Sequence, residues 1–81
     1  MADEEQVERL KCSIREWNQW RLEHPELQPD LRRTILCRAF LAYADLSGAY
    51  LSNADLSSAV LIHVDLNGAN LNDALQLHII N

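Results

Sequence analysis

A chain of 81 residues allows one small domain, and at that size a conventional core is marginal because surface dominates volume. The hydrophobic content of 48% is too high for a disordered chain, yet no apolar run approaches the roughly 20 residues that span a bilayer. Net charge is −5, divided as −3 over residues 1–28 and −2 over residues 29–81, which argues against direct binding to nucleic acid or an anionic membrane.

The acidic start, Met1-Ala2-Asp3-Glu4-Glu5, lacks the apolar core of a signal peptide, so the expected location is cytoplasmic. Cys12 and Cys37 then read as free, reduced thiols. Residues 3–23 read as one helix: Val7, Leu10, Ile14 and Trp17 recur at helical spacing, and Trp20 continues the stripe. Asp3 is the expected N-cap, with Gln6 three residues on as in a capping box, and acids fill the first turn as the helix dipole favours. His24-Pro25-Glu26-Leu27-Gln28-Pro29 ends the helix, because proline disfavours α geometry in the residue before it. Residues 1–28 are therefore expected to form a capping helix and linker, and residues 29–81 a repeat region, within a single compact domain.

From Thr34 to Asp73 the chain reads as eight consecutive five-residue repeats, preceded by the entry segment Pro29-Asp-Leu-Arg-Arg. Their centres are Leu36, Leu41, Leu46, Leu51, Leu56, Leu61, Leu66 and Leu71. On a helix, five residues advance about 500°, so these leucines would wind around the surface. On a flat strand, an odd period sends successive leucines to opposite faces. A bend once per repeat resolves both failures. Ala and Leu, two residues apart, then point inward from each short extended segment, and repeated bends in one sense give a solenoid of stacked coils.

The repeated Ala-Asp/Asn-Leu-Ser pattern, as in Ala44-Asp-Leu-Ser-Gly and Ala54-Asp-Leu-Ser-Ser, resembles that of pentapeptide-repeat proteins. The lead-in from Trp17 to Leu31 is similar to that of small bacterial, particularly cyanobacterial, members. The resemblance implies a β-solenoid, a right-handed quadrilateral β-helix of about two to two and a half coils with four repeats per coil. The N-terminal helix would cap the first coil through Val7, Leu10, Ile14 and Trp17.

With twenty residues per coil, the outward positions sort into faces. One stacks Phe40, Ala42 and Tyr43 on Val60, Ile62 and His63, apolar where the family pattern places Asp, Asn or Ser. Phe40, Tyr43, Val60 and Ile62 are thus a candidate interaction patch; the alternative is that the helix or linker folds over them. A second face stacks Asp45 on Asp65, two carboxylates that hold a cation, act as an acid/base pair, or simply accept hydrogen bonds from their own turns, the last being the ordinary reading. A third places Arg32 and Arg33 over Ser52 and Asn53, and the fourth places Arg38 within reach of Asp55, a surface pair worth at most ~1 kcal/mol. Leu75, Leu77, Ile79 and Ile80 lie where the repeat fails, with no second capping helix after them. Solenoids need polar terminal caps and open edges invite pairing, so a homodimer joined end to end or edge to edge near these residues is expected, the alternative being that the tail folds back as its own plug.

No metal-ligand spacing links His24, His63 and His78 to the cysteines, and no nucleophile elbow or phosphate loop is present, so neither cofactor, metal nor catalysis is expected. The leading reading is a non-catalytic protein-interaction or scaffold module with a protein partner of unknown identity. The alternative, drawn from relatives that resemble duplex DNA, is a modulator of DNA gyrase or topoisomerase. Two coils span about 10–12 Å, a length over which DNA carries roughly six or seven charges, against −2 for residues 29–81. That mismatch ranks the DNA-mimic reading second.

Overall fold

The computed structural model describes residues 3–75. Two helices, α1 (Glu4–Cys12) and α2 (Ile14–Glu23), replace the single helix expected over residues 3–23. The break is at Ser13, which takes extended geometry (φ −161°, ψ 122°) and serves both helices as a cap. Its hydroxyl accepts the Glu16 N–H at 3.2 Å, satisfying one of the donors a helix start leaves open. Ser13-Ile-Arg-Glu16 is itself a capping-box sequence, and here it wins over continuation of the apolar stripe.

At the start of α1, Asp3 caps as expected, accepting the Gln6 N–H at 3.3 Å. The Gln6 side chain does not complete a capping box. It accepts the Asp30 N–H at 2.8 Å, while the Asp3 N–H donates to the Asp30 carbonyl at 3.0 Å. The head of α1 thus acts as a partial rung beneath the repeat region.

From Asp30 onward the chain returns over itself every twenty residues. Isolated parallel bridges join Asp30 to Tyr50, Ile35 to Asp55, Phe40 to Val60, Asp45 to Asp65, Tyr50 to Asn70 and Asp55 to Leu75. The corners fall at every fifth residue from Arg33 to Asp73, each with positive φ between 57° and 73°. Only Gly48 and Gly68 among them are glycines; the other seven bear side chains in the left-handed region, at a cost of order 1 kcal/mol each. Each corner is closed by the next repeat's first N–H donating back to the preceding leucine carbonyl, at 3.0–3.3 Å. This is the bend that the five-residue period demands, and it produces four corners per coil.

Inside the coil, Leu36, Leu41, Leu46, Leu51, Leu56 and Leu61 are buried, together with Leu31 and the small Ala44, Ala49 and Ala54. Leu66 and Leu71 pack only partly against this core, because no described coil lies above them. Val7, Leu10 and Trp17 close the opposite end and belong to the same core, with Ile14 and Trp20 packed against it. No helix among the described residues is long and apolar enough to cross a membrane.

Two repeats depart from the alanine rule at the inward position, Thr34 and Val64, and only Thr34 is polar. Thr34 is buried, and its hydroxyl has no hydrogen-bond partner among the described residues. Leaving such a group unpaired costs about 1–3 kcal/mol. Val64 already occupies an alanine position. Thr34→Val, which keeps the shape and removes the hydroxyl, is therefore expected to raise unfolding stability by about 1 kcal/mol. Urea denaturation followed by circular dichroism measures it, and a loss of stability would contradict this account of Thr34.

Candidate interaction face

The repeat dictates what an outward side chain does at the position before each leucine. Asp45 accepts the Ser47 N–H at 3.1 Å and the Ser47 hydroxyl at 2.6 Å; Asp55 accepts the same two groups of Ser57 at 3.0 and 2.7 Å. Asp65 and Asn70 accept the Asn67 and Asn72 N–H groups at 3.0 Å. These side-chain oxygens stabilise their own turns. The Asp45–Asp65 stack is the turn-capping arrangement rather than an acid/base pair, and no cluster of metal-ligating side chains occurs among the described residues.

The same bonds set the acid sensitivity of the fold. Hydrogen bonds from the Ser57 hydroxyl and N–H hold the Asp55 carboxyl below the ordinary aspartate range. Asp30 is lowered likewise, chiefly by the Arg32 guanidinium, which reaches it at 2.8 and 2.9 Å. A depressed folded-state pKa stabilises above the unfolded pKa and loses that contribution as pH falls through the folded value. The stability that these two carboxylates contribute should thus be fully present from neutrality to roughly pH 5 and be lost below about pH 4. Urea midpoints across that range test this, with Asp55→Asn flattening the acid limb. The expected Arg38–Asp55 pair does not form: the ion pairs among the described residues are Arg21–Asp45 and Arg32–Asp30.

Phe40 and Val60 occupy the turn-capping position with side chains that accept nothing. The N–H groups of Ala42 and Ile62, two residues on, find no acceptor among the described residues. The cross-coil pair Phe40–Val60 returns some of that loss, as aromatic–β-branched pairs contribute about 0.2–1 kcal/mol. What remains is an uncovered apolar face: Phe40 is 67% exposed, Tyr43 65%, Ile62 40% and Val60 38%. Tyr43 stacks on His63 with ring centroids 5.0 Å apart. Neither α1, α2 nor the linker covers these side chains. Gln28 on the linker instead donates to the Gly48 carbonyl and accepts the Tyr50 hydroxyl.

The neighbouring face belongs to α2. The Trp17 indole N–H donates to the Asp45 carbonyl at 2.9 Å, and Arg21 donates to the Asp45 and Ser47 carbonyls, both at 2.8 Å. Asn18 accepts the Asp45 N–H at 2.8 Å and donates to the Tyr43 carbonyl at 3.0 Å. Apart from the Tyr43 carbonyl, the main-chain groups these side chains bond are those that a preceding coil would have bonded. The sequence reading found Trp17 but missed Asn18 and Arg21. Their signal is polar groups one and four residues after Trp17, on or beside the apolar stripe.

Cys12 and Cys37 are free and exposed. Of the proposed dimer end, Leu75 is exposed and bridged to Asp55, while Leu77, Ile79 and Ile80 lie outside the described residues.

The geometry defines the class of protein: a short solenoid of five-residue repeats closed at one end by a helical pair. The family described as Pentapeptide repeats matches the chain in eight copies, over residues 30–53 and 39–75. Those spans cover more than half of its 81 residues, and the chain belongs to the pentapeptide-repeat family. No curated protein and no solved structure matches it.

Proposed function

We propose that this chain is a non-catalytic protein-binding module whose contact surface is the face formed by Phe40, Tyr43, Val60 and Ile62. The observation that carries the reading is that this face departs from the turn-capping pattern. Phe40 and Val60 give up a turn acceptor, as Ile35 and Tyr50 do on other sides. Only here do Tyr43 and Ile62 extend the pair into a four-residue apolar face that stays in water, and uncovered apolar groups of this kind mark interaction sites. The coil is taken to be the family's right-handed quadrilateral β-helix, in a cytoplasmic setting compatible with two free thiols. A homodimer through the end near Leu75 is part of the same proposal, and light scattering showing a monomer for the intact chain would remove it.

The test is affinity capture from the native host, using the wild-type chain and the double variant Phe40→Ser/Ile62→Ser. Circular dichroism serves as the folding control. Loss of a captured protein in the folded variant supports the assignment of the face; an unchanged capture list sinks it. Inhibition of gyrase supercoiling at micromolar protein would instead favour a nucleic-acid mimic.

A further inference from the structure

The helical cap covers the first coil unevenly. Its main-chain groups from Tyr43 to Gly48 are bonded by Trp17, Asn18, Arg21 and Gln28, and those of Asp30 by Asp3 and Gln6. Between these two stretches the N–H groups of Ile35 and Phe40 and the carbonyls of Arg32, Ile35, Cys37, Phe40 and Ala42 have no partner among the described residues. One coil up, the equivalent groups of Ser52, Asp55, Ser57, Val60 and Ile62 are all paired. The open stretch is thus a parallel β edge with its register already defined. A groove of about 390 Å³ runs beside its start, between one side of α1 (Glu4, Val7, Glu8, Lys11) and Arg33, Thr34 and Ile35. Ile35 and Phe40 project from the edge, both largely exposed.

We propose that this edge docks an extended segment of a partner protein, adding it as a parallel strand beneath the side between the corners at Arg33 and Arg38, and that the segment is apolar with acidic residues at its ends. This rests on the binding-module reading above and names the partner's class. Free main-chain donors and acceptors select an extended backbone over a helix. The acidic ends follow from Arg33 and Arg38, which sit at the corners on either side of Ile35–Cys37, are exposed, and form no ion pair among the described residues. Glu4 and Glu8 on the α1 wall are offset in part by Lys11, so the attraction for carboxylates lies at the two corners. Phe40 belongs to both the edge and the apolar face, which makes the two one continuous surface.

The probe is a synthetic peptide of alternating Val and Thr with Asp at both ends, and the readout is residue-resolved amide hydrogen exchange by NMR on the full chain. In the free chain the Ile35 and Phe40 amides should exchange fast while those of Asp55 and Val60 are protected. Peptide should slow Ile35 by about tenfold or more, and Phe40, beyond the Arg38 corner, less. A peptide of the same core with Lys at both ends should bind at least about tenfold more weakly. Ile35→Pro removes an edge N–H that bonds nothing within the described chain and should abolish binding. Arg33→Glu/Arg38→Glu, which touches no main-chain group, should weaken it about tenfold, and Glu26→Gln, an exposed linker substitution away from the edge, should leave it unchanged. Protection of Ile35 and Phe40 in the free chain, no slowing with peptide, or full binding by the charge-reversed variant each overturns the proposal. If Ile62→Ser loses a captured protein while the peptide fails to bind, the apolar face stands and the edge falls.

Discussion

Trp17→Ala should cost about 4 kcal/mol, within the range for truncating a fully buried aromatic residue. Trp17 is the largest side chain with no exposed surface, and it belongs to the same core as Leu31, Leu41 and Leu46 of the first coil. A chain of 81 residues has a total stability of roughly 4–12 kcal/mol, so this loss is a large part of the whole. The coil offers no way to collapse into the space left, because its backbone is held by ladder bonds of 2.8–3.3 Å from coil to coil. Trp17→Phe separates the two contributions. It keeps most of the apolar volume but leaves the Asp45 carbonyl with Arg21 alone, for an expected loss of about 1–2 kcal/mol. Urea denaturation monitored by circular dichroism measures both variants. Equal losses would mean that the indole hydrogen bond, and not the plug, dominates.

Much of this fold is legible because the five-residue period leaves few options. A leucine every fifth residue cannot face one side of a helix or a flat strand, so a bend per repeat follows from geometry, and the positive-φ corners at Arg33, Arg38 and onward supply it. The cap stripe Val7, Leu10, Trp17 is legible for the same reason: apolar residues at helical spacing need an apolar surface, and a solenoid end provides one. The break at Ser13 escapes because Leu10 and Ile14 are four apart, a spacing that a continuous helix also satisfies. The capping pair Ser13–Glu16 was the only local sign of it. Whether Phe40 and Val60 are covered depends on the path of residues 24–28, and that path is set by main-chain groups near Gly48 and by the Tyr50 hydroxyl, long-range contacts with no local signature. The open edge at residues 32–42 is invisible for a related reason. It depends on which carbonyls the cap fails to reach, a three-dimensional property of the helical pair.

The second large effect is expected at Arg21, and it tests how the cap works. Arg21 is mostly buried, with its guanidinium spanning the Asp45 and Ser47 carbonyls and lying 3.7 Å from the Asp45 carboxylate. Two accounts are possible: an ion pair with Asp45, or a surrogate rung that bonds two main-chain carbonyls. They differ in what each substitution should do. Arg21→Met keeps the stem but strips both donors, leaving the Ser47 carbonyl unpaired and the Asp45 carbonyl with Trp17 alone. With charge-assisted bonds worth about 1.5–3 kcal/mol each and partial compensation by water, the expected loss is about 3 kcal/mol. Arg21→Lys carries the same charge but cannot span both carbonyls with a planar fork, so it should recover less than half of that loss. Asp45→Asn removes the carboxylate charge while keeping an acceptor for the Ser47 N–H, as Asn70 does for Asn72. The carbonyl account expects a cost under about 1 kcal/mol for it, as for a partly exposed ion pair. The ion-pair account expects Asp45→Asn to match Arg21→Met and Arg21→Lys to restore stability in full. The 2.8 Å bonds to carbonyls, set against 3.7 Å to the carboxylate, favour the first account. On that account the cap holds the first coil by completing its main-chain ladder, and Arg21 does at one edge what a further repeat would do.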